Sequence, residues 1–223
     1  MQKSLPLTLL LLIAALLSLS SSAQLGIIKD PDGFCNVRAE ASNQSKIEDT
    51  LTNGRFVLAL EQEVKNNWLL VDYHKGKDLH SGYIHKSRIV FLKDLTAFNE
   101  ITATDTLAKW QLNEMQITIK SGPFSKANRK IDGKMAWGND GRVPRTEYKS
   151  IQFKSGTQTL NFPRSGFNDL FEISPVKHTA VTLDKTTGKV YIEAENSDGA
   201  GSYLVVWVIN SGKIEWREEF IPF

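Results

Sequence analysis

From Phe34 to Val90 the chain breaks into short runs of β-forming residues separated by turn residues, and this punctuation leaves little freedom in the fold. The runs are Phe34–Arg38, Phe56–Leu60, Trp68–Tyr73, Gly82–His85 and Arg88–Val90, with Ile47 and Leu51 spaced to drop onto a core between the first two. Aromatic and β-branched side chains fit a pleated, half-buried surface. Asp30-Pro31-Asp32-Gly33 and Asn66-Asn67 carry turn chemistry. Asn53-Gly54 reads as a hairpin turn, because both residues tolerate positive φ. His74 to Ser81 reads as a long polar loop. Short strands with turns between them, in about 65 residues, suit a small barrel.

The order of certain residues in this segment is specific. Asn36-Val37-Arg38 comes first, then Asn53-Gly54 and Trp68, and last Gly82-Tyr83-Ile84-His85-Lys86-Ser87-Arg88-Ile89. This pattern, over residues 26–92, resembles the bacterial SH3 (SH3b) domain. The resemblance implies a small SH3-like β-barrel that binds cell-wall peptide or a protein partner at the cell envelope. Ala39-Glu40-Ala41 stands where many members carry Gly-Pro, so the likeness extends to the fold more than to the ligand. In this frame Trp68, Tyr73, Tyr83 and His85 are the candidate ligand-binding set. Trp68 and Tyr83 stand where such domains build the barrel itself, and Tyr73 and His85 are expected to be more open. Arg38 is expected to anchor a neighbouring loop. Cys35, the single cysteine, is expected to pack as a small hydrophobe.

The N-terminus reads as a secretory signal peptide over residues 1–23, cut ahead of Gln24. Lys3 gives a positive start, Leu5 to Leu19 is apolar apart from Thr8 and Ser18, and Ser21-Ser22-Ala23 supplies small residues. The apolar run is shorter than the about 20 residues that span a bilayer. The expected location is therefore periplasmic or extracellular, with no membrane span after cleavage. One cysteine permits no internal disulfide, so an exported chain must hold together by hydrophobic burial. Net charge is +2 at pH 7, which steers no nucleic acid. The dispersed Lys126, Arg129, Lys130 and Lys134 read as a solvated loop.

Residues 24–93 are thus assigned to the barrel, 94–106 to a polar linker and 107–223 to an antiparallel, β-sandwich-like domain of no recognised family. Asp105 is expected to cap a short helix reaching Trp110 or Leu112. Beyond it, Met115, Ile117 and Ile119 alternate with polar residues, the period of a half-buried strand. Three hairpins follow, turning at Ser155-Gly156, at Lys185-Thr186-Thr187-Gly188 and at Asn210-Ser211-Gly212. Leu204–Ile209 is the most apolar run and is expected inside a sheet. Arg164–Phe171 reads as a helical turn or an irregular loop.

Trp137-Gly138-Asn139-Asp140-Gly141-Arg142 offers a ring, a carboxylate and a guanidinium on one loop. Trp137, Asp140 and Arg142 could hold a carbohydrate, although a turn whose Trp plugs the sheet is the simpler expectation. Asn196 to Ser202 is rich in oxygen but lacks calcium-loop spacing, and reads as a turn. No cofactor or metal is expected, since His74, His80, His85 and His178 lack ligand spacing. No Cys–His pair outside the barrel and no Gly-x-Ser-x-Gly elbow occurs. A hydrolase using two of Glu147, Asp169 and Glu172 is the alternative to a binding protein, and an inhibitor or structural partner of an envelope protein is a third.

Overall fold

The computed structural model describes residues 23–126, 136–139 and 141–222. The apolar run Leu5 to Leu19, the basic residues Arg129, Lys130 and Lys134, and Asp140 lie outside them. Among the described residues the secondary structure is all β, with a few single 3-10 turns and no α-helix. Among these residues no helix is long and apolar enough to cross a membrane. The chain divides into two units, up to Ile89 and from Val90.

The first unit is built on a seven-stranded, curled sheet of order β3-β2-β6-β5-β4-β1-β7. Its strands are β1 (Ala23–Ile28), β2 (Phe34–Arg38), β3 (Ile47–Thr52), β4 (Phe56–Lys65), β5 (Trp68–Lys75), β6 (Asp78–His85) and β7 (Ile89–Phe91). The unit boundary falls within β7. Period-two alternation sorts the faces of β5: Leu69, Val71 and Tyr73 are buried while Trp68, Leu70 and Asp72 are only partly covered. β2 does the same, with Cys35 and Val37 inside. β6 brings Gly82 and Ile84 inward. A Cβ on Gly82 would come within 2.4 Å of Val37 Cγ1, so β2 and β6 cross closely there because one of them lacks a side chain.

Two expectations change in this unit. His74 to Ser81 is not a long loop: β5 and β6 stay paired out to Lys75 opposite Asp78, and Gly76 turns the chain at φ +68°. Asn53-Gly54 does not close a hairpin, because β3 and β4 are not neighbours. It is a corner instead. The Asn53 amide donates to the Asp30 carbonyl and accepts from the Asp30 N–H, both at 2.8 Å, while Gly54 N–H donates to the Ile28 carbonyl. The side chain thus mimics a strand neighbour where β1 ends. β1 itself, rich in Leu and Ile, is a strand that the turn pattern did not announce.

The second unit holds two five-stranded antiparallel sheets. One has the order β13-β12-β11-β10-β9, made from β9 (Asn99–Ala103), β10 (Leu107–Leu112), β11 (Met115–Pro123), β12 (Thr146–Ser155) and β13 (Gln158–Asn161). The other has the order β17-β16-β15-β14-β8, made from β8 (Thr96–Ala97), β14 (Ala180–Leu183), β15 (Val190–Asn196), β16 (Tyr203–Asn210) and β17 (Lys213–Phe220). Ile117, Ile119 and Ile151 of the first sheet and Ile192, Val205 and Trp207 of the second belong to one core. The three expected hairpins form, and Leu204–Ile209 lies in β16 with a neighbour on each side.

The linker over residues 94–106 is corrected. It carries β8 and β9, and these consecutive strands join different sheets. Phe98 between them is buried in the core and its N–H donates to the Val181 carbonyl. The helix expected after Asp105 is β10. Ala108 and Trp110 are buried at strand period, and Thr104 closes the preceding turn through paired bonds with Leu107. Asp105 binds Lys177 at 2.8 Å rather than capping a helix. Arg164–Gly166 is a 3-10 turn.

A candidate binding groove on the first unit

A cavity of about 710 Å³ opens on the first unit. Its lining comes from several elements. Phe34, Asn36 and Arg38 come from β2, and Trp68 and His85 come from the paired ends of β5 and β6. The loops add Asp32, Asn43, Asn66 and Arg88. Strand alternation explains why the strand residues emerge together: they lie on the half-exposed face, while their neighbours Cys35, Val37, Leu69 and Ile84 are buried.

Two of the four candidates from this unit, Trp68 and His85, are in this groove. The Trp68 and His85 rings meet edge to face at 5.5 Å. The Ser87 N–H donates to His85 Nδ1, whose second neighbour is Ser87 Oγ at 2.8 Å. In the neutral ring this leaves Nε2 carrying the hydrogen, a donor for a ligand acceptor. Trp68 is thus half-exposed rather than a core residue. Tyr83 lies on the same face, opposite Leu70 and Arg38, also half-exposed, but outside the lining.

Tyr73 is corrected: it is buried at 2 % exposure, not open. It follows Leu69 and Val71 onto the inner face, and its hydroxyl donates to Asp49 at 3.3 Å. Burial, with the Asp49 carboxylate beside it, pushes its phenol up to about 12. Lys75 bonds Asp49 at 3.0 Å and, with the Thr50 N–H, holds that carboxyl below its ordinary range. Arg38 does anchor a loop, donating to the Ser45 carbonyl at 2.6 Å. Cys35 is buried, and desolvation pushes its thiol up to about 11.

Asp32, Phe34, Asn43 and Asn66 carry no binding signal in the sequence. Asp32 and Asn66 belong to turn motifs that explain themselves by backbone geometry, so nothing in their type marks a second role. Phe34 at 46 % exposure is the clearest missed signal. In sequence it is a large apolar residue at the start of a strand, next to a turn, and carries only the signal of a β-former.

The second-unit candidates do not form a comparable site. Trp137 packs its ring on Tyr203 at 5.9 Å, and its backbone bonds both Asp169 and Phe171. Gly138 at φ +78° lies so close that a Cβ would be 2.4 Å from the Phe171 carbonyl. The ring therefore plugs the sheet. Arg142 is exposed, and Asp140 falls outside the described residues. Each acid of the hydrolase alternative is held by a cation. Glu147 pairs with Lys149 at 2.7 Å, Asp169 with Arg217 at 2.7 Å, and Glu172 with Arg145 at 2.9 Å. A cleft of about 400 Å³ includes Glu172 but neither of the other two. Asn196 is buried, accepting from the Ser174 N–H and donating to the Tyr148 hydroxyl. No group of three metal-binding side chains occurs among the described residues. Comparison with protein families, curated proteins and solved structures finds no match to this chain.

Proposed function

We propose that this is an exported, non-catalytic binding protein of the bacterial cell envelope. In this reading the first unit is an SH3-like barrel, the second a β-sandwich, and the groove of the first unit seats a cell-wall peptide or a partner protein. The observation that carries it is the convergence of Trp68 and His85, both part of the SH3b-like pattern, on one open groove. An aromatic platform beside a few convergent polar groups is the usual make-up of a ligand site. The ion-paired state of Glu147, Asp169 and Glu172 gives the hydrolase alternative no comparable support.

Co-sedimentation of Gln24–Phe223 with purified cell walls tests this. Retention is expected, and Trp68→Ala, checked for an unchanged circular dichroism spectrum, is expected to abolish it. Equal retention of the variant would remove the groove from the function. Mass spectrometry of the exported protein should place its N-terminus at Gln24, and a chain still carrying Leu5–Leu19 would overturn the leader reading.

A further inference from the structure

A strand edge lies inside the groove. β5 and β6 are paired over eight residue pairs, from Trp68 opposite His85 to Lys75 opposite Asp78. β2 and β6 meet at a single pair, Arg38 opposite Tyr83. Beyond it β2 continues through Val37, Asn36, Cys35 and Phe34, with pairs to β3 alone. A strand with a neighbour on one side presents alternate N–H and C=O groups on the other. The gap opens where β6 ends, because the 3-10 turn Lys86–Arg88 leads the chain away. Phe34, Cys35 and Asn36 form one wall, and His85, Ser87 and Arg88 form the other.

The charge of the lining narrows the occupant. Asp30 and Arg88 neutralise each other at 3.2 Å. Adding Asp32 and Arg38 leaves the acids and the guanidinium groups in balance. A strongly charged ligand gains little from such a wall. Phe34 and Trp68 meanwhile expose ring surface to the groove. A free edge with apolar grips beside it is the combination used in strand addition, where main-chain bonds supply affinity and side-chain pockets supply selection.

We propose that an extended, uncharged peptide segment of another molecule adds as a strand to the free edge of β2 at Phe34 and Asn36, the residues of this stretch that are not buried, with Phe34 and Trp68 gripping its side chains. This rests on the reading of the groove as the binding site, and names how that site takes its ligand. At ~3.3 Å per residue, a stretch of about three residues matches this edge. The groove volume of about 710 Å³ lies within the range of ligand pockets.

The test is amide-resolved NMR of isotope-labelled Gln24–Phe223. The probes are acetylated and amidated tetra-alanine, the same peptide N-methylated at alternate amides, and an N-acetylglucosamine tetrasaccharide. Tetra-alanine at millimolar concentration should shift the amides of Phe34–Asn36. N-methylation should weaken it about tenfold, the loss expected of one or two main-chain bonds. Phe34→Ser, at an exposed position, should weaken it with the spectrum otherwise unchanged, and the sugar should leave these amides unmoved. Strand addition is overturned by equal binding of the N-methylated peptide, by a response to the sugar instead, or by silence of these amides. If walls are retained while the amides stay silent, the mode fails and the envelope reading stands. If walls are not retained either, both fail.

Discussion

Two side chains carry titration behaviour that their surroundings dictate. Glu193 faces away from the core on β15, between Ala180 and Val206 on the adjoining strands. Burial, with the Glu195 carboxylate nearby, pushes its acid up to about 7 from an ordinary 4.5. The folded state therefore holds this proton more tightly than the unfolded one, so stability is higher below about pH 4.5 and falls as pH rises towards 7. Glu193→Gln should flatten that slope and raise stability at pH 8 by on the order of 1–3 kcal/mol, measured by urea unfolding across pH. Cys35 is the second case. Its thiol, pushed up to about 11 and 4 % exposed, should react with a disulfide reagent at pH 8 only after denaturant is added; fast labelling of the native chain would contradict its burial. The burial of Cys35 and the loop-holding role of Arg38 were both readable from a small apolar position and a strand register. The burial of Tyr73 was readable in principle from its period with Leu69 and Val71, but its closeness to an apparent loop hid the strand that continues past it.

At the scale of elements, strands with clean alternation were legible, as in Met115, Ile117 and Ile119 of β11. So were hairpins closed by glycine. Elements that owe their form to distant partners were not. β8 is only Thr96–Ala97, and its composition is that of a loop until β14 pairs with it. Asn53-Gly54 carries hairpin chemistry, yet its amide serves Asp30 of another segment. The same dependence on distant partners holds the 3-10 turn Arg164–Gly166 to the second sheet. The Gly166 carbonyl accepts from Trp207 Nε1 at 2.9 Å and from Arg217 at 3.0 Å, while Arg217 also forks onto Asp169 at 2.7 Å. Arg217 additionally pairs with Glu219. Arg217→Leu would leave two neighbouring carboxylates without their cation. It should cost on the order of 2–3 kcal/mol in chemical unfolding, whereas a loss below about 0.5 kcal/mol would mark the pair as a surface one.

For the molecule as a whole, the core cluster of the second unit starts at Phe98 and draws on both of its sheets. A fragment starting at residue 95 keeps β8, Phe98 and β9, and should give a dispersed NMR spectrum. A fragment starting at 107, the boundary that composition alone suggests, loses an edge strand from each sheet together with a core aromatic, and should not fold. Polar residues at 94–106 concealed this because edge strands face water on one side, so their composition approaches that of a connector. The chain's passage through Phe98 also has a mechanical meaning. β8 is joined to β14 by only two residue pairs, whereas β9 meets β10 over four. A tug arriving along the backbone from the first unit would peel β8 first and then be stopped at Phe98 and the longer ladder behind it. The second unit would thus yield by a short, reversible slip of chain before its core is asked to bear any load.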